Sequence, residues 1–146
     1  KDVLNSPGAG AAGGIGGALG GVLGASMVQG IQKVLDISGL DSKLESCDIV
    51  ITGEGRADAQ TLRGKVPVGV LEYVRAHTVP VHRPKVILIA GQVSDRQQIL
   101  NAGFDAVLQI TPEGMPLSEA LDPVTASTNI TQSMQSYLQQ RCSGEK

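Results

Sequence analysis

Between Ile51 and Lys65 the chain reads ITGEGRADAQTLRGK, which gathers Glu54, Arg56, Asp58, Gln60, Thr61, Arg63 and Lys65 in one short segment. Carboxylates held beside fixed cations suit phosphoryl transfer. A carboxylate can accept a hydroxyl proton or hold magnesium, while Arg and Lys stabilise charge on the moving phosphoryl group. The segment is not a Walker A loop: Gly64-Lys65 is followed by Val66 rather than Ser or Thr, and the upstream glycine position is Ala59. The bland reading is a solvated loop with surface ion pairs, which contribute little to stability.

The elements around the segment decide between these readings. Asp48-Ile-Val-Ile-Thr52 is a short apolar, β-branched run and predicts a buried strand directly before the polar cluster. In open α/β sheets, ligands bind at the carboxyl ends of strands. Gly53 and Gly55 are expected to let the backbone turn sharply there. Pro67 suits the first turn of a helix whose apolar face is Val70, Leu71 and Val74. Val86–Ala90 predicts a second strand ending at Gly91. Ser94 and Gln97 form a capping-box pattern for a helix that Gly103 stops. Asp105–Thr111 reads as a third strand, and Ile130, Met134, Tyr137 and Leu138 mark a C-terminal helix. This alternation predicts an α/β fold, a parallel sheet flanked by helices in a Rossmann-like, three-layer arrangement. Three strands make a small sheet, so further strands are expected from chain outside these residues. Residues 1–146 read as one α/β unit, with a glycine-rich helical region over 1–40 and strand–helix alternation over 41–146.

Glycine crowds into PGAGAAGGIGGALGGVLG at 7–24, and no charge occurs from Leu4 to Gln32. The length of this stretch and its overlapping GxxxG spacings would suit a transmembrane helix, but no aromatic belt or basic cluster flanks it. Ile15, Leu19, Val22, Leu23, Met27, Ile31, Val34 and Leu35 instead follow the stripe of a helix buried on one face, with Gly39-Leu40 as its stop. Gly8, Gly10 and Gly13 match GxGxxG, but the preceding KDVLNSP is a poor strand, which disfavours a dehydrogenase. Residues 8–14 could still form a backbone nest for a phosphate or carboxylate at a helix start. Equally, the glycines could serve only tight packing.

Composition excludes other classes. The chain has 146 residues, a net charge of −2, two Tyr, one Phe and no Trp, so it lacks the basic footprint and stacking platforms of a nucleic-acid surface. Two cysteines make no disulfide scaffold, so a reducing cytoplasm is the default. Cys47 is expected to pack as a small core residue, Cys142 near a frayed end, and His77 and His82 are assigned no role.

PGAGAAGGIGGAL at 7–19 and CDIVITGEGRADAQTLRGKVPVGV at 47–70 resemble the bacterial glycerate kinase family, and VILIAGQV at 86–93, AGFDAVLQI at 102–110 and the SEA element follow in order. That family phosphorylates D-glycerate with magnesium ATP. Its members are more than twice as long, with two α/β domains and an active site in the cleft between them. The resemblance is to the C-terminal part of the family, so this chain is expected to hold part of a site, with an N-terminal segment or a second copy of the chain as partner. It implies Asp58 as base or magnesium-positioning carboxylate, with Glu54 as the second metal carboxylate. Arg56 and Lys65 would stabilise charge. Glu54, Gly55, Gln60 and Thr61 would orient the substrate, and Gly8, Gly10, Ala11, Gly13 and Gly14 would bind its carboxylate or a phosphate. The 2-hydroxyl is the favoured acceptor. The alternative is a nucleotide- or anion-binding module without activity. HRPK at 82–85 departs from the family pattern as an insertion at the amino end of the second strand, facing away from the expected site.

Overall fold

A computed structural model describes residues 2–3 and 5–144, and the side chain of Cys142 lies outside the described residues. The chain forms two compact units, Lys1–Ser38 and Gly39–Lys146.

The first unit holds α1 (Ala11–Val22) and α2 (Gly30–Ser38). The single long helix expected from the apolar spacing is therefore two. Gly24, at φ +67°, ends α1, where the Leu23 and Ala25 N–H groups both donate to the Leu19 carbonyl. The expected buried stripe is also absent: Ile15 is 57% exposed, Val22 82% and Val34 62%, and Gly16 is the buried residue of α1. A unit this small has little apolar surface with which to cover a stripe. Gly39 does stop α2, in the left-handed region at φ +64°.

The second unit contains α3 (Leu40–Leu44), β1 (Ile49–Ala57), α4 (Val66–His77), β2 (Lys85–Val93), α5 (Arg96–Asn101), β3 (Ala106–Gln109), α6 (Leu117–Ala120) and α7 (Pro123–Gly144). The strands form one parallel sheet in the order β1-β2-β3, flanked by helices. This is the α/β architecture that the alternation predicts. α4 packs on β1 and β2, with Pro67 in its first turn and Val70, Leu71 and Val74 buried. With Val86, Ile87, Leu88, Ile99, Phe104 and Val107 they build the core.

Both long strands run further than their apolar cores suggest. β1 continues through Gly53, Glu54, Gly55 and Arg56, so these glycines are extended rather than turned. The reason is close approach between strands. A Cβ at Gly91 would lie 2.7 Å from the Gly55 carbonyl oxygen, so only a glycine there lets β2 stay beside β1. β2 starts at Lys85, after a single 3-10 turn at Pro80–His82, so His82 ends the turn and Lys85 opens the strand within the HRPK segment. β3 is shorter than expected and ends at Gln109. The capping box at Ser94 does not form: Asp95 is the N-cap of α5, in the left-handed region at φ +51°, without a side-chain cap bond.

Candidate active site

Glu54 and Arg56 ride on the last part of β1, paired with Ala90 and Gln92 of β2. Past Ala57 the chain makes a series of turns through Gly64, and α4 then begins. The Ser94 N–H donates to the Ala57 carbonyl at 2.8 Å, which ties the carboxyl ends of the two strands together. The polar cluster therefore stands where ligands enter open α/β sheets.

Thr61 is its centre and is fully buried. Its hydroxyl donates to Glu54 Oε1 at 2.5 Å and accepts from the Asp58 N–H at 3.0 Å. Glu54 Oε2 lies 3.7 Å from Lys65 Nζ. The Gln60 N–H donates to Asp58 Oδ1 at 2.8 Å, and Arg56 Nε lies 3.9 Å from Asp58 Oδ2. Two carboxylates are thus each matched to one cation, and a buried hydroxyl ties the Glu54 side chain to the Asp58 backbone. Glu54 is the more buried carboxylate, while Asp58 and Arg56 open towards solvent. The structure brings together Glu54, Arg56, Asp58, Thr61 and Lys65. The Gln60 backbone belongs to the cluster, while the residue itself is exposed.

Sequence reasoning missed Asp95. Its Oδ2 accepts the Ala59 N–H at 3.3 Å, so a carboxylate that would ordinarily cap α5 is turned onto the loop. A non-glycine residue in the left-handed region is uncommon and tends to mark functional sites. That geometry, not the composition, is its signal.

Among the described residues no three His, Cys, Asp or Glu side chains cluster as metal ligands. A magnesium ion fits this site by its usual mode, which takes one or two carboxylates with water and phosphate oxygens filling the rest. Asp58, the more exposed carboxylate, and Glu54, tied to the Asp58 backbone through Thr61, are the carboxylates that would hold it.

In the first unit, the segment Gly8–Gly14 is not a regular helix start. Ala12, Gly13 and Gly14 all have positive φ within α1. Its glycines divide by role. A Cβ on Gly16 would overlap the Gly8 carbonyl oxygen, so Gly16 serves packing. At Gly10, Gly13 and Gly14 a Cβ would meet no atom within 4 Å.

The model of the glycerate kinase family matches residues 1–140. The chain belongs to the glycerate kinase family. It is 46% identical over 120 residues to a glycerate kinase from Bacillus cereus, covering 82% of this chain and 30% of that protein. It is 42% identical over 120 residues to the glycerate 2-kinase of Escherichia coli K12, again 82% of this chain and 30% of the relative. A solved structure described as a glycerate kinase 2, from Salmonella typhimurium LT2, superposes with a TM-score of 0.63 at 34% identity, over 94% of this chain and 34% of that one. The chain thus spans about a third of the length of the relatives it matches. Among the described residues no helix is long and apolar enough to cross a membrane.

Proposed function

We propose that this chain supplies the phosphoryl-transfer loop of a cytoplasmic enzyme that phosphorylates D-glycerate with ATP. The reading rests on the braced Glu54–Thr61–Asp58 cluster with its two cations, at a strand end in a chain of this family. The glycerate hydroxyl oxygen attacks the γ-phosphorus, the bond to the β,γ-bridging oxygen breaks, and the hydroxyl proton passes to Asp58. Asp58 is suited to this because it is the more open carboxylate and the Gln60 N–H fixes its orientation. Arg56 and Lys65 face the charge that develops on the phosphoryl oxygens. Glu54 holds Lys65 in place and, with Asp58, would hold magnesium, which supplies charge neutralisation on the phosphates. Gly10, Gly13 and Gly14, with open space at their Cβ positions, bind the substrate carboxylate or a phosphate through backbone N–H groups. The Escherichia coli relative is named a glycerate 2-kinase, which supports the 2-hydroxyl as acceptor.

The test is a coupled ADP-release assay on the full polypeptide with magnesium ATP, with phosphorus NMR of the product. ADP release that depends on D-glycerate and yields 2-phosphoglycerate is expected. A well-folded protein that releases no ADP with D-glycerate would overturn the proposal and leave an anion-binding module as the better account.

A further inference from the structure

The opposite end of the sheet carries a second constellation. A cavity of about 800 Å³ lies against the amino ends of β1 and β2. Arg83 and Lys85 enter it from the turn into β2, and Arg141 enters from the last turn of α7. Two of the three cations thus come from the HRPK segment that has no part in the catalytic reading. The cavity is remote from the catalytic loop. Lys85 pairs with Ile49 at the start of the strands, whereas Arg56 pairs with Gln92. At about 3.3 Å per residue, the strand between Lys85 and Gln92 covers roughly 23 Å.

Among the described residues neither Arg83 nor Lys85 has an ion-pair partner, although Glu45 and Asp48 border the same cavity. Tyr137 orients Arg141: Nη1 donates to the phenol oxygen at 3.0 Å, and the guanidinium stands 5.8 Å from the ring centroid. That hydrogen bond takes one donor of the guanidinium fork. Three fixed cations thus face two carboxylates across the concavity, and a multivalent anion meets the remaining positive charge while using the free donors of Arg83, Lys85 and Arg141. A neutral ligand does neither. We propose that this cavity is a binding site for a small polyanion, a di- or triphosphate group, separate from the catalytic loop.

Inorganic pyrophosphate is the probe, titrated calorimetrically into the full polypeptide at low salt without magnesium. To silence the catalytic loop, the titration is made in an Arg56→Ala/Lys65→Ala background. Saturable binding is expected to persist there. Adding Arg83→Ala and Lys85→Ala is expected to weaken it on the order of 10-fold or more, equivalent to about 1.4 kcal/mol. Arg141→Gln, on a different element, is expected to weaken it as well, which guards against a local folding defect in the turn. Loss of all binding in the loop variant would overturn the proposal, because the anion would then belong to the catalytic loop. Undiminished binding in the cavity variants would overturn it too.

Discussion

Thr61 shows how a polar side chain can be both buried and indispensable. It has no solvent exposure, and its hydroxyl serves Glu54 and the Asp58 N–H together. Thr61→Val keeps the shape and removes both bonds, leaving buried polar groups unpaired. The expected cost is about 1–3 kcal/mol, read as a fall in the denaturation midpoint, with Thr61→Ser recovering most of it. Equal stability of the Val variant would mean that the hydroxyl braces nothing. At this scale the sequence was informative about which residue types cluster, because TGEGRADAQT is so specific a string. It was silent on their division of labour. Thr61, expected to orient the substrate, also ties Glu54 to the Asp58 N–H, a bond that no residue pattern announces. Asp95 lies far along the chain and reaches the loop only through an unusual backbone conformation, which no residue pattern announces.

Elements add constraints that single residues do not show. The strand β1 was legible from Asp48–Thr52, but its extension was not, because glycines ordinarily signal a turn. Here Gly91 instead permits two backbones to touch at Gly55, and Glu54 and Arg56 are carried on a strand rather than a loop. In the first unit, the same residue type has two roles that substitution separates. Gly10→Ala places its methyl in open space at an ordinary φ of −79°, so stability should change by no more than about 0.5 kcal/mol. KM for D-glycerate or ATP should nevertheless rise if ligand approaches there. Gly16→Ala should destabilise the protein through its overlap with the Gly8 carbonyl oxygen. Identical effects of both changes would remove the ligand role.

The C-terminal helix α7 offers a pH test. The Asp122 carboxylate accepts the Thr125 N–H at 2.9 Å, and that bond together with the Thr125 hydroxyl holds its pKa below the ordinary aspartate value. A depressed carboxyl stabilises the fold fully above its unfolded pKa, and that contribution is lost as pH falls through the folded pKa. Asp122→Asn keeps the cap but cannot ionise. The wild type should therefore melt higher than Asp122→Asn at neutral pH, and the gap should close as the pH falls through and below the ordinary aspartate range. A gap independent of pH would refute the assignment.

At the scale of the whole molecule, the chain spans about a third of the length of the relatives it matches. Its second unit has a real core around a three-stranded sheet, while its first unit leaves Ile15, Val22 and Val34 exposed. Strand–helix alternation made the second unit legible, since short apolar, β-branched runs followed by helical spacing are local signals. The first unit was misread because an apolar stripe reports that burial is needed, not where the helix breaks. The claim that unites these scales is that Asp58 takes the glycerate proton. It is tested most directly by steady-state kinetics of Asp58→Asn in the full polypeptide with D-glycerate and magnesium ATP. The account predicts a kcat lower by on the order of 10² or more with the fold intact. A kcat within about threefold of the wild type would contradict it.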